Sequence, residues 1–261
     1  MIFSAINPLY SLAGLAVGIL VGLTGVGGGS LMTPLLVLAF GFHPVTAVGT
    51  DLLYASATKA VGTGVHGFNR TVDWAVVRRL ATGSVPATIL TLIALNYAGK
   101  HYEGTTHAIT IILGVTLILT AIAMLFRGVI LARLSGATDD LPNRRIAALT
   151  VVLGAVLGIL VSLTSVGAGA IGMTALLALY PRLPTNRLVG SDIAHAVPLT
   201  LIAGMGHWFL GAVDLGLLAS LLIGSIPGII AGSLLSARVP DVALRTMLAI
   251  TLVLVGVKLL F

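Results

Sequence analysis

Residues 14–29 read GLAVGILVGLTGVGGG and residues 154–169 read GAVLGILVSLTSVGAG, and the two stretches agree at ten of sixteen positions. Agreement that dense exceeds chance even among apolar residues, so the chain contains an internal repeat, the feature to settle before any motif is weighed. After a slip of one residue the match resumes. VGTD at 48–51 meets VGSD at 189–192, His66 meets His207, Val72 and Asp73 meet Val213 and Asp214, and GSVP at 83–86 meets GSIP at 224–227. Two copies of one unit, about 14–126 and 154–261, therefore account for nearly the whole chain.

Composition says what kind of unit this is. Of 261 residues, 57% are hydrophobic and only 8% are charged, where a soluble domain carries roughly 25% charged residues. Several apolar runs exceed the 18 or so residues that cross a bilayer core of about 30 Å as a helix. The expected fold is an all-α polytopic integral membrane protein with no soluble domain. A formal charge of +6 raises nucleic acid as a partner, but the basic residues stand singly or in pairs between apolar spans and form no basic stripe, so none is expected. Without cysteine there is no disulfide framework, thiolate metal site or cysteine nucleophile. Neither a metal nor a cofactor is expected. The opening MIFSAINPLYSLAGL lacks a positive leading region and runs into a span-length apolar stretch, so it is read as part of the mature fold.

Each copy reads as five segments, one long, one short and three long: 8–29, 30–41, 44–66, 73–98 and 105–126, then 146–169, 170–180, 186–209, 214–237 and 241–261. The short SLMTPLLVLAF rises only about 17 Å and should return from inside the membrane. If the chain starts outside and every segment reverses direction, the inner connections hold Arg70, Arg78, Arg79, Arg127, Arg133, Arg144, Arg145, Arg182, Arg187, Arg238 and Arg245. Those are eleven of the fourteen Lys and Arg, as the positive-inside rule requires, and both termini then lie on the non-cytoplasmic side. Five reversals also invert the second copy relative to the first, an architecture of secondary transporters. The organisation is thus a first transmembrane repeat, 1–126, a polar cytoplasmic linker, 127–145, and a second repeat, 146–261.

Gly27, Gly28 and Gly29 break the helix between a full span and a short returning segment. Non-helical backbone at that depth is tolerated only beside protein or a water-filled cavity. A helix starting at Ser30 aims unpaired N–H groups and its positive dipole end at that place, which suits an anion. Tight helix packing through Gly22, Gly25 and Gly29 is the bland alternative, but SVGAGA in the inverted copy, with Gly167 and Gly169, favours a substrate site. There is no GK[ST] ending and no strand context, so a nucleotide loop is excluded.

Asp51 and Asp192 each sit about two turns into the third segment. A carboxylate in a membrane helix costs roughly 2.5–3.5 kcal/mol on insertion scales, so it should face the protein interior, where it braces the break opposite or carries a proton. Lys59 has Thr200 as its counterpart and follows Asp51 by eight residues, about 12 Å along the axis. It is the countercharge of an anionic substrate, a snorkelling side chain or the partner of another carboxylate. His195, one turn after Asp192, has Tyr54 in the matching place and is a candidate proton relay. His66 and His207, closing the third segments, read as boundary residues or relays. Asp73 and Asp214 should cap the fourth segments, in which Pro86 and Pro227 are expected to place kinks.

GVGGGSLMTPLLVL, VGTD and the VDW of Val72 to Trp74, repeated as SVGAGAIGMTALLAL, VGSD and VD, resemble the sulfite exporter TauE/SafE family over nearly the whole chain. The resemblance implies an inner-membrane permease for small sulfur-containing anions such as sulfite, sulfoacetate or thiosulfate, driven by protons. Ala168 in place of a glycine, Thr174 in place of Pro34, and aspartates at 51 and 192 where the family more often has serine depart from the pattern and point to a subgroup. The resulting expectation is alternating access, with the two halves rocking around an anion held by Gly27, Gly28, Gly29, Ser30, Gly167, Gly169 and Lys59. Asp51, Asp192 and His195 would handle the proton. A passive channel or structural membrane subunit is the alternative. An enzyme is not expected, since no nucleophile motif or metal constellation is found.

Overall fold

The computed structural model describes residues 6–24, 29–68, 72–101, 105–138, 141–167, 169–235 and 241–261. Eleven helices and no strand occur among them: α1 (Pro8–Thr24), α2 (Gly29–Leu38), α3 (Pro44–Phe68), α4 (Trp74–His101), α5 (Thr105–Leu125), α6 (Arg127–Thr138), α7 (Asn143–Thr164), α8 (Ala170–Leu179), α9 (Thr185–Phe209), α10 (Leu215–Leu235) and α11 (Asp241–Leu260). Five, α4, α5, α7, α9 and α10, are long and apolar enough to cross a membrane. The protein is a polytopic helical membrane protein. Large apolar side chains such as Leu90, Ile93, Leu119, Val152, Ile230 and Leu254 point outward, while Thr33, Asp51, Ser84, Ser162, Asp192 and His195 are buried. That is the reverse of a soluble fold, since lipid accepts leucine and rejects an unpaired polar group.

The short second segments are helices of ten residues, α2 and α8, about 15 Å long at 1.5 Å per residue and too short to span. Proline at the first turn and a cap open α1, where Leu9 N–H donates to Asn7 Oδ1 at 2.9 Å. One expectation is corrected. The linker is not all loop: RGVILARLSGAT forms α6, because Leu, Ala and Arg are good helix formers and α8 offers a surface to pack on.

Helices of one copy pack on those of the other. Gly14 of α1 meets Leu221 of α10 and Gly18 meets Ser225, while Leu80 of α4 meets Gly154 of α7 and Ser84 meets Gly158. Both pairs run parallel and are equivalent under the repeat. The like elements α3 and α9 instead run antiparallel, with Gly49 against His207 and Leu53 against Gly204. So do α5 and α11, where Gly114 faces Leu260 and Ile118 faces Gly256. Identical elements that pack antiparallel mean that the copies are inverted, and the four relative directions are those that alternating segments require. At the centre, Val48 and Leu52 of α3 form one core cluster with Ala196, Leu199 and Ala203 of α9 and with Val161 of α7.

Close backbone approach makes the parallel pairs tight. A Cβ on Gly224 would fall 1.7 Å from the Ser11 carbonyl oxygen, and one on the equivalent Gly83 would fall 1.9 Å from that of Val151. Small residues at such crossings substitute packing for the hydrophobic drive that lipid removes. Gly224→Val and Gly83→Val are each expected to destabilise the protein by about 3 kcal/mol, the upper end for overpacking, because backbone rather than a side chain must move. Gly128 on α6 has open space around it, so Gly128→Ala should be neutral or slightly stabilising. Thermal unfolding in detergent measures all three.

Candidate functional site

The site is built from the VGTD and VGSD motifs. Thr50 Oγ1 accepts from the N–H of Asp214 at 3.0 Å, and Ser191 Oγ accepts from the N–H of Asp73 at 2.7 Å. Each hydroxyl on a third helix thereby holds the start of the other copy's fourth helix. The aspartates then cap those helices as expected. Asp73 Oδ1 accepts from the N–H of Ala75 at 3.0 Å and of Val76 at 3.3 Å, and Asp214 Oδ1 from that of Leu217 at 2.9 Å. Arg187 approaches Asp73 at 3.7 Å, a partly exposed pair of small energetic weight.

One residue further along each motif, the side chain turns inward. Asp51 is fully buried, and its Oδ2 accepts from Thr33 of α2 twice, from Oγ1 at 2.5 Å and from the N–H at 3.2 Å. Asp51 Oδ1 has no partner. Beside the carboxyl stands Ser165, on the loop between α7 and α8, outside hydrogen-bond geometry and with its own Oγ unpartnered. Asp51 therefore bridges its own copy's short helix and the other copy's break. Asp192, also buried, looks toward α8: a Cβ on Gly172 would lie 3.3 Å from its Oδ1, which has no hydrogen-bond partner. Thr174, which matches Thr33 and not Pro34 once the one-residue slip is placed before the two Met-Thr pairs, bonds back to the Ala170 carbonyl at 2.8 Å instead. The two carboxyl environments are therefore unequal.

Lys59 is half-buried and within electrostatic range of Asp192 and Asp51, yet no carboxylate among the described residues comes within 4.0 Å of it. His195 is also within electrostatic range of Lys59. Its Nε2 lies 2.8 Å from Ser84 Oγ of α4, and its Nδ1 is buried without a partner. Across the repeat, Tyr54 Oη lies 2.6 Å from Ser225 Oγ of α10, so histidine and tyrosine occupy equivalent places against equivalent serines. His207 stands in the last turn of α9. It is 1% exposed, and its Nε2–H donates to the Ser162 carbonyl at 2.9 Å, which pins α9 to α7.

Of the glycine-loop residues, Gly27 and Gly28 lie outside the described residues, as does Ala168, and the side chain of His66 is likewise not described. Gly29 and Ser30 are the first two residues of α2, one residue earlier than the expected start. Gly169 is the N-cap of α8, and Gly167 has φ 108°, a conformation open to glycine. One early N–H of α8 is already taken, since Gly172 N–H donates to the Gly167 carbonyl at 3.1 Å. The fold thus puts Lys59 within electrostatic range of Asp51, Asp192 and His195. It adds Thr33, Ser165, Ser84 and Ser225, which the reading of the sequence passed over although hydroxyls recur at matched positions.

A profile of the sulfite exporter TauE/SafE family matches residues 10–259. The chain belongs to the TauE/SafE family. A Bacillus subtilis relative named "Probable membrane transporter protein YjnA" is 40% identical over 250 residues, 95% of this chain and 98% of the relative. The B. subtilis protein named "Probable membrane transporter protein YdhB" is 26% identical over 94% of this chain and 96% of its own length. The Methanocaldococcus jannaschii protein named "Probable membrane transporter protein MJ0441" is 25% identical over 78% and 72%. No solved structure matches the chain. As a TauE/SafE protein the chain is a membrane transporter, and the names of family and relatives indicate transport rather than catalysis.

Proposed function

We propose that this TauE/SafE transporter is a proton-coupled secondary carrier of a small sulfur-containing anion such as sulfite, sulfoacetate or thiosulfate, seated in the cell membrane with both termini on the non-cytoplasmic side. The observation that carries the reading is Lys59 within electrostatic range of both Asp51 and Asp192, inside an inverted repeat whose first and seventh helices break at matched places. Such breaks supply helix ends to substrates and coupling ions in transporters of this architecture. The anion is held by backbone N–H groups at Gly27, Gly28, Gly29, Ser30, Gly167 and Gly169, with Lys59 as countercharge. Asp51 or Asp192 carries the proton, with His195 as relay.

Packing across the copies changes which bodies would move. Rocking of the two sequence halves would tear the backbone contacts of α1 with α10 and of α4 with α7. The packing favours instead moving bodies that keep α1 with α10 and α4 with α7. Uptake of labelled sulfite, thiosulfate, sulfoacetate and taurine into proteoliposomes preloaded with unlabelled anion tests the function. Counterflow with one of the sulfur anions, raised by an acid-outside gradient, is expected. Flux without counterflow would make the protein a channel.

A further inference from the structure

Ser165 is the one residue other than glycine, among those described, with a positive φ, 58°. It closes α7, its N–H donating to the Val161 carbonyl at 2.8 Å. The left-handed region costs a side chain about 1–2 kcal/mol, whereas glycine enters it freely, and Gly25 stands at the matching position of the first copy. Closing the helix therefore does not require serine. A strained residue at a functional centre is a reason to ask what its side chain does. The hydroxyl is buried, 5% exposed and without a partner, and so is Oδ1 of Asp51, whose carboxyl stands beside it. The two atoms belong to different copies, α3 of the first and the end of α7 of the second.

A serine hydroxyl has one proton to donate and two lone pairs to accept with. From this we infer that Ser165 converts the protonation of Asp51 into affinity for the anion, which rests on the proton-coupled reading above. While Asp51 is ionised it takes the single O–H of Ser165 and presents its own negative charge to the loop. When a proton binds Asp51 Oδ1, the carboxyl becomes the donor, Ser165 accepts from it, and the serine O–H is released toward an anion at Gly167 and Gly169. Loss of that proton reverses the order and expels the anion. Thr33 fixes the geometry by holding Oδ2 with both of its donors, so that Oδ1 is the atom left for the proton. The other ionisable groups facing this pair are Lys59 and Tyr54 on α3 and His207 on α9, which packs against Gly49 and bonds to the Ser162 carbonyl, while Asp192 and His195 of α9 lie within range of Lys59. The helices α2, α8 and α10 have none, and those of α5 (His107), α7 (Arg144, Arg145) and α11 (Asp241, Arg245, Lys258) lie near helix ends.

Counterflow of labelled thiosulfate as a function of concentration, from mildly acidic to mildly basic pH, tests the inference in proteoliposomes of wild type, Ser165→Gly and Ser165→Ala. Glycine is compatible with the backbone here, so Ser165→Gly keeps the fold even if the alanine variant does not. Wild-type affinity is expected to rise on acidification. Ser165→Gly should lose about tenfold of it at acidic pH, the scale of one hydrogen bond to a charged group, and little at basic pH, flattening the profile. Asp51→Asn, whose amide donates to Ser165 at every pH, should bind with pH-independent affinity, and adding Ser165→Gly to it should lower that affinity again. A Ser165→Gly profile parallel to that of wild type overturns the inference alone. A wild type with no counterflow of thiosulfate, sulfite or sulfoacetate, or with no pH response, overturns the proton-coupled reading and this inference with it.

Discussion

Lys59→Met is expected to lower anion affinity in counterflow by at least about tenfold, or 1.4 kcal/mol, and to weaken the folded protein as well. Lys59 is the cation within range of both inward carboxylates. Without it the site presents only negative charge, in surroundings where water does little to screen repulsion. Lys59→Arg keeps the charge but replaces a compact ammonium with a planar fork, so it should restore stability more fully than transport. The double variant Lys59→Met with Asp192→Asn separates the two effects: it removes the stranded charge and should recover thermal stability without recovering affinity. Wild-type affinity in Lys59→Met would remove Lys59 from the anion site.

Asp51→Asn should abolish the response of flux to a pH gradient while exchange continues. The amide keeps the shape of a protonated carboxyl and its bonds to Thr33 can be retained through the remaining oxygen, so the site stays built, but the proton has nowhere to bind. Asp192→Asn is expected to disturb coupling less, because no Thr33-like clamp orients Asp192: the matching Thr174 is bonded to its own helix. Gradient-driven uptake and equilibrium exchange, compared in the same vesicles, decide between them. Coupling that survives Asp51→Asn and disappears in Asp192→Asn would exchange the roles of the two copies.

Much of the fold could be read directly. The repeat, the short α2 and α8, and helix limits within a few residues followed from apolar run lengths and matched motifs, because the bilayer leaves a spanning backbone few alternatives. What the repeat does not encode is which copy touches which. Equivalence says that α1 resembles α7, but not that α1 lies on α10, and the glycine at 14 reads the same whether it meets a helix of its own half or of the other. Site legibility divided the same way. Asp51, Asp192 and Lys59 stood out because charge in a membrane is costly. Thr33, Ser165, Ser84 and Ser225 did not, since hydroxyls are ordinary in membrane helices and become informative only once a neighbour is known. VGTD and VGSD held the clearest missed signal, a hydroxyl kept in both copies immediately before the carboxylate, and it caps the other copy's fourth helix. The α6 helix was missed because charge and glycine in 127–145 outweighed its propensity.

The partnership of α1 with α10 also sets a timetable for biosynthesis. Gly14 must find Leu221, a residue made some two hundred positions later, so at about 5–20 residues per second the first helix waits on the order of 10–40 s in the bilayer for its partner. Throughout that interval the newborn first half has its small-residue face, and the buried charge of Asp51 and Lys59, open to lipid or to whatever insertion machinery shelters it. The same dependence implies that neither half made alone would be a finished body, whereas two separately translated halves sharing one membrane would have every partner they need.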